Sequence, residues 1–287
     1  MPFPFFAHQA AVLPLKLRWP GLSGTGLVLG SLAPDLGYFL IGAAVTRDWH
    51  RPKGILLYCL PVALLLYLLL TRALAAPVAR HLPRLGRFRL HELAYLEAQP
   101  RTIGHLVVVA ACVIVGAVTH LGWDLFTHDG TWMGGHIAWL ADAGFRLRGH
   151  PVSGARVLWT VSTILGGLFS VLVLREIGAR RLLHRWAETR LPGSTAAIDV
   201  EAPPATSHLA FWAPILLVTP TAAVVAWATR PPGFDHDAWA TWVLVFLRSS
   251  VPGFLVLAIS AWRERRRWRH RSGQAGGTSP RAVDPAA

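Results

Sequence analysis

The chain has 287 residues, of which 53% are hydrophobic and only 15% charged, with a formal net charge of +13. Ordinary globular proteins carry about 25% charged residues, and a mean hydropathy of +0.42 excludes an ordinary water-soluble domain. Basicity alone would admit nucleic-acid binding, but the arginines fall between apolar blocks and no recognition motif accompanies them, so nucleic acid is not expected as a partner.

A spanning helix needs about 20 mostly apolar residues, because each adds about 1.5 Å against a hydrocarbon core of about 30 Å. Six blocks meet this requirement, near residues 23–45, 54–75, 103–122, 157–175, 209–229 and 240–262. They predict an all-α fold, a polytopic transmembrane helical bundle over residues 1–270, with a disordered cytoplasmic tail at 271–287 rich in Gly, Ser, Pro and Ala. A shorter seventh block, Phe3–Leu15, extends about 20 Å as a helix. It either crosses, making seven spans, or dips into the bilayer. The N-terminus lacks a basic region and a small-residue cleavage site, so this segment is expected to be retained.

In chain order, the first ionisable residue against lipid is His8, in Phe5-Phe6-Ala7-His8-Gln9. Asp35 lies inside the first long block, between Pro34 and Gly37, where a broken or kinked helix is expected. His50 follows in Trp49-His50-Arg51. Cys59 and Cys112 sit in apolar blocks at no metal or redox spacing and read as buried apolar residues. The block at 103–122 closes on Thr119-His120-Leu121-Gly122-Trp123-Asp124-Leu125-Phe126-Thr127-His128. His120, Asp124 and His128 are spaced i, i+4, i+8 and share a helix face. Two ligands at i and i+4 can hold one ion, but His120 and His128 would stand about 12 Å apart on a straight helix. Either the chain turns back near Asp129-Gly130, or Asp124 bridges two ions. The remaining histidines carry less signal. His81, His91, His184 and His270 lie among arginines and read as solvated, while His136, His150 and His236 fall in loops where they could assist a site.

Arginine clusters at Arg72–Arg101, Arg175–Arg190 and Arg263–Arg271 set the expected topology, since positively charged loops stay in the cytoplasm. Residues 123–156 balance three Arg against three Asp and are expected outside. The C-terminus is then cytoplasmic and the membrane is the plasma membrane. This arrangement brings His8, Asp35, His50, His120, Asp124 and His128 to one level at the outer edge. Imidazole and carboxylate are the usual ligands of zinc and similar ions.

The opening Met-Pro-Phe with His8-Gln9-Ala10-Ala11-Val12-Leu13-Pro14-Leu15, the run Gly30-Ser31-Leu32-Ala33-Pro34-Asp35, and Thr119 to His128 resemble an uncharacterised family of bacterial multi-pass membrane proteins over about residues 1–170. The order His, Asp, His, His-xxx-Asp, His is distantly similar to bacterial membrane-bound metal-dependent hydrolases. It also resembles the zinc-dependent phospholipase C and single-strand nuclease group. That likeness implies His8, Asp35, His50, His120, Asp124 and His128 as ligands of a divalent metal, zinc first, with Asp124 as the bridging candidate. The sequence departs from the phospholipases in lacking a His-xxx-Glu pair after His128, since His136 is followed at that spacing by Leu140 and His150 by Gly154.

These readings lead to a metal-dependent hydrolase at the outer face of the plasma membrane. Asp35 and Asp124 are the catalytic candidates, for orienting water, and the substrate is a membrane lipid or lipid-linked phosphate ester. A transporter or ion-handling protein is the first alternative, because broken helices with a mid-membrane Asp are typical of transport sites. The second alternative is an accessory or assembly protein in which the cluster is structural.

Overall fold

The structure is a computed structural model that describes residues 7–40, 48–144, 146–147, 149–196, 198, 200, 203–229 and 238–276. Residues 3–6 of the N-terminal block, 41–45 of the first long block, His236 and 277–287 of the expected tail lie outside the described residues, while 271–276 of that tail continue the last helix rather than being disordered.

The elements run α1 (Gln9–Arg18), α2 (Gly24–Leu40), α3 (Pro52–His81), α4 (Ile103–Thr127), α5 (Trp132–His136), α6 (Ala138–Ala141), α7 (Gly154–Ala179), α8 (Leu182–Arg190), α9 (His208–Ala228) and α10 (Ala238–Gly276). A short antiparallel hairpin, β1 (Arg146–Leu147) and β2 (His150–Pro151), is the only sheet among the described residues. Four helical stretches are long and apolar enough to cross a membrane, at Pro52–His81, Ile103–His136, Gly154–Ala179 and His208–Ala228. Their outer faces display Leu57, Leu65, Ile164, Leu168, Leu216 and Val224. Water would disfavour so much contiguous apolar surface, whereas lipid accepts it. The chain is thus a helical bundle suited to a membrane.

Local signals explain the helix starts. Thr102, Ser153 and Ser207 each precede a long helix, and each side-chain oxygen accepts the N–H three residues on, that of His105, Arg156 and Ala210. Within α3, π-helical turns at Ile55–Cys59 and Leu70–Leu74 interrupt the α geometry, and π-turns inside helices often accompany functional sites. Helix α2 continues through Pro34.

Helices α2 and α4 form the centre of the bundle, because small residues let their backbones meet. A Cβ on Gly30 would overlap the Val113 backbone, and one on Gly116 would overlap the backbone of α2 at Leu27 and Gly30. Close approach of this kind is how helices associate where lipid removes the hydrophobic drive between them. Around this pair, Ala33, Trp49, Cys59, Ala63, Tyr67, Val109 and Val113 make one buried cluster that also anchors α3. Val12 of α1 packs on Leu27 and Cys112, while Leu13 packs on Val173 and Ile177 of α7. Gly166 lets α7 approach Ala7, whose Cα lies 3.1 Å from the position a Cβ would take. Both cysteines are free and buried.

At the far end of α3 the reading of His81 as solvated is overturned. It is 3% exposed, with Nδ1 donating to the Pro77 carbonyl at 2.8 Å and Nε2 facing Thr206 Oγ1 at 3.1 Å. The cause is a distant residue, Glu264 of α10. Its buried carboxylate accepts the Ala205 and Thr206 N–H groups at 2.6 and 2.8 Å and pulls the segment before α9 over His81.

Gly30→Ala is predicted to destabilise the purified protein by about 1–3 kcal/mol, the usual cost of overpacking, visible as a lower melting temperature in detergent. Gly122→Ala, on an open face of α4, is predicted to leave the melting temperature unchanged or raise it. Equal losses from both substitutions would contradict the close α2–α4 contact.

Candidate metal centre

On α4, Cys112, Gly116, His120 and Asp124 follow one another at four-residue intervals and therefore share one face. Because Gly116 allows α2 so near, His120 is carried against the backbone of α2. Its Nδ1 lies 2.7 Å from the Ser31 carbonyl oxygen. A carbonyl can only accept, so Nδ1 carries the hydrogen and Nε2 points the other way. In metal sites the second imidazole nitrogen is commonly held in just this manner by a carbonyl or carboxylate. Pro34, one turn on, has no N–H to give the Gly30 carbonyl.

Nε2 of His120 faces two carboxylates. It stands 3.1 Å from Asp124 Oδ2 and 3.7 Å from Asp35 Oδ1. His50 reaches the same two groups, with Nε2 at 3.3 Å from Asp35 Oδ1 and 3.7 Å from Asp124 Oδ2. His8, from the turn that opens α1, stacks on the His120 ring at a centroid distance of 3.9 Å, and its Nε2 lies 3.9 Å from Asp124 Oδ1. Five side chains from four separate segments therefore converge. Ligand atoms of His8, Asp35 and His120 lie within 4.8 Å of one another, as do those of His50, His120 and Asp124. Donors on one ion, each about 2.1 Å from it, stand within such a distance. Both triads share His120, whose single available nitrogen could bind only one ion.

His128 takes a different position. Helix α4 ends at Thr127, and His128 is extended, with φ −116° and ψ 135°. The chain thus turns as it leaves the helix, and His128 Nδ1 comes to 3.5 Å from Asp124 Oδ1. Its side chain is 41% exposed, and it belongs to neither of the two mutually close triads. Asp124 accordingly sits between His120 on one oxygen and His128 on the other.

The cluster places ionisable groups largely out of water. His8 and His120 are 7% and 1% exposed, and the two aspartates are mostly shielded. Burying carboxylates is costly unless positive charge and hydrogen bonds compensate. His120 Nε2, His8 Nδ1 and Asp124 Oδ1 are buried without an aligned hydrogen-bond partner. A divalent ion among three imidazoles and two carboxylates would balance the charge and use such donors.

One side of the cluster opens outward through His128. A small cleft lined by Thr127, His128, Asp129, Arg156 and Trp159 lies beside a cavity of about 620 Å³, with Asp129 and Arg156 on the walls of both. Asp129, Gly134, His150, Ser153 and Arg156 line that cavity. Ser153 Oγ donates to Asp129 Oδ1 at 2.5 Å, and Arg156 Nη2 lies 3.6 Å from Asp129 Oδ2. His150 is part of this wall, whereas exposed His136 turns its Nδ1 to the Trp132 carbonyl. Arg156 and the Ser31 carbonyl were missed from sequence. Ser31 acts through its backbone, which residue type does not announce, and Arg156 read as one of three loop arginines balanced by aspartates.

Fold and centre together define a membrane-compatible helical bundle with a buried His–Asp cluster near one end of its central helix. A family model described as a domain of unknown function, DUF4184, matches residues 1–261, and the chain belongs to that family. No curated protein and no solved structure matches the chain.

Zinc or manganese added to chelator-treated protein is predicted to raise its melting temperature. Saturation at about 100 times the dissociation constant is worth about 2.7 kcal/mol. Asp124→Asn should abolish the rise, while Asp142→Asn, at an exposed position, should keep it. A rise of the same size in all three proteins would mean the metal binds elsewhere.

Proposed function

We propose that this protein is a metal-dependent hydrolase set at the outer face of the plasma membrane, acting on a lipid or lipid-linked phosphate ester. The observation that carries the reading is the orientation of His120. With Nδ1 bonded to the Ser31 carbonyl, its Nε2 faces Asp35 and Asp124, the same carboxylates that His50 reaches. The bundle carrying it is read as crossing six or seven times, with α2 and α10 added to the four apolar stretches and the C-terminus in the cytoplasm.

A divalent ion, zinc first, would lower the pKa of its bound water toward 7 and polarise a phosphoryl oxygen. The chain's own residues divide the remaining work. His120, His50 and His8 offer neutral donors, and Asp35 supplies charge beside His50. Asp124 Oδ1, turned toward the exposed His128 at 3.5 Å, is placed to accept the proton of an attacking water and pass it outward. Arg156, on the wall of the adjoining cavity, suits a phosphate, because its guanidinium presents a planar fork of donors.

A structural role for the metal is the second reading. The near-complete burial of His8 and His120 favours it, since four segments would be tied together by one ion. Turnover separates the two. Purified protein in detergent should hydrolyse p-nitrophenyl phosphate or a short-chain lipid phosphate ester. Chelator or His120→Ala should cut the rate at least a hundredfold, and re-added metal should restore the wild type only. Hydrolysis that persists in both conditions would sink the hydrolase reading. Stoichiometric metal without hydrolysis of either substrate would favour the structural one.

A further inference from the structure

Away from the His–Asp cluster, toward the other end of α4, two cations converge with no acid between them among the described residues. Lys16, the last but two residue of α1, is 3% exposed. Its Nζ donates to the Pro20 and Leu22 carbonyls at 2.5 and 2.9 Å and sits 4.2 Å above the Trp186 ring. Arg190, closing α8, brings Nη2 to the same two oxygens, at 2.5 Å from Leu22 and 3.4 Å from Pro20. Its Nη1 donates to Gln99 Oε1 at 3.2 Å. Among the described residues no carboxylate pairs with either cation.

Positive charges buried side by side repel and lose hydration, so such groups are normally paired. Here both are anchored by neutral carbonyl and amide oxygens. The surroundings add more positive charge, because Arg72 lies near enough to act on Tyr67 and His105 together with Arg190. Tyr67 Oη and His105 Nε2 are themselves 2.8 Å apart. Burial and the neighbouring Arg190 push Lys16 down to about 7, and burial holds Arg190 below its usual value.

We propose that Lys16 and Arg190 form a binding site for a phosphate-type oxyanion, which supplies the missing counter-charge. Lys16 contributes a point charge, and the Arg190 guanidinium contributes donors not taken by Leu22, Pro20 and Gln99. Arg190 reaches Gln99, four residues ahead of the apolar helix α4, and both cations lie near enough to act on Cys112 within it; Trp19, next to Pro20 in the chain, is 52% exposed. Tryptophan concentrates at membrane–water interfaces, so the depth fits a lipid headgroup. The same chemistry would also accept phosphate from solution. The site shares no residue with the His–Asp cluster and does not depend on its metal or activity.

The test uses the full chain, stripped of lipid in a neutral detergent. Its melting temperature is followed while inorganic phosphate or short-chain phosphatidylglycerol is added. A rise with phosphatidylglycerol alone assigns the site to a lipid headgroup, and a rise with inorganic phosphate assigns it to a soluble anion. In either case Arg190→Gln and Lys16→Met are expected to weaken the apparent affinity at least tenfold. Arg185→Gln, at an exposed position on the same helix, should leave it unchanged. Arg190→Lys keeps the charge and serves if the neutral variants do not fold; losing the planar fork should still weaken binding severalfold. No rise with either anion in the wild-type protein overturns the proposal. So does a rise of unchanged affinity in the folded Arg190 variants.

Discussion

The backbone-to-backbone contact of α2 and α4 is the constraint on which the rest of the structure depends. Gly30 and Gly116 leave room for no side chain between the helices, and lipid offers no hydrophobic drive to hold larger ones together. Only at that separation does the Ser31 carbonyl meet His120 Nδ1 at 2.7 Å. The same contact that closes the bundle therefore aims a histidine. Asp35, one turn beyond Ser31 on α2, and Asp124, one turn beyond His120 on α4, arrive together as a consequence of the register.

The other elements complete the pocket from two sides. Gly166 of α7 admits the chain at Ala7, which sets His8 on the face of His120. Trp49, buried against α3 with its carbonyl accepting from Cys59 Sγ at 3.6 Å, fixes the segment that carries His50. What results is buried at His8 and His120 and exposed at His128 and Arg156. Preorganised ligands with one accessible side are what a hydrolytic ion requires.

Much of this could be read from residue order, and the reasons for what could not are physical. The Asp35 and Asp124 carboxylates stood out because a charge in an apolar run is costly. The four-residue spacing of His120, Asp124 and His128 defined a face. His128 leaves the helix extended directly after Thr127, ahead of Asp129-Gly130, and joins neither of the close triads. By contrast, Ser31 contributes a carbonyl, which every residue has, and Gly30 and Gly116 matter for what they lack. His81 was read from its arginine neighbours in sequence, but its burial is decided by Glu264, far along the chain. Arg190 served as a marker of topology, and nothing in its segment or in that of Lys16 announces that the other lies against it. Apolar blocks gave the helices their places but not their ends. α3 runs on from the block at 54–75 to His81, and α4 from that at 103–122 to Thr127, because the added turns are amphipathic rather than apolar.

The central claim is that the His–Asp cluster is a metal centre. Elemental analysis of the detergent-purified protein, beside a His120→Ala/Asp124→Ala double variant that keeps its helical circular dichroism, tests it most directly. The account predicts stoichiometric zinc or manganese in the wild type and none in the variant. Protein that binds no metal even after reconstitution, or a variant that retains it in full, would contradict the account.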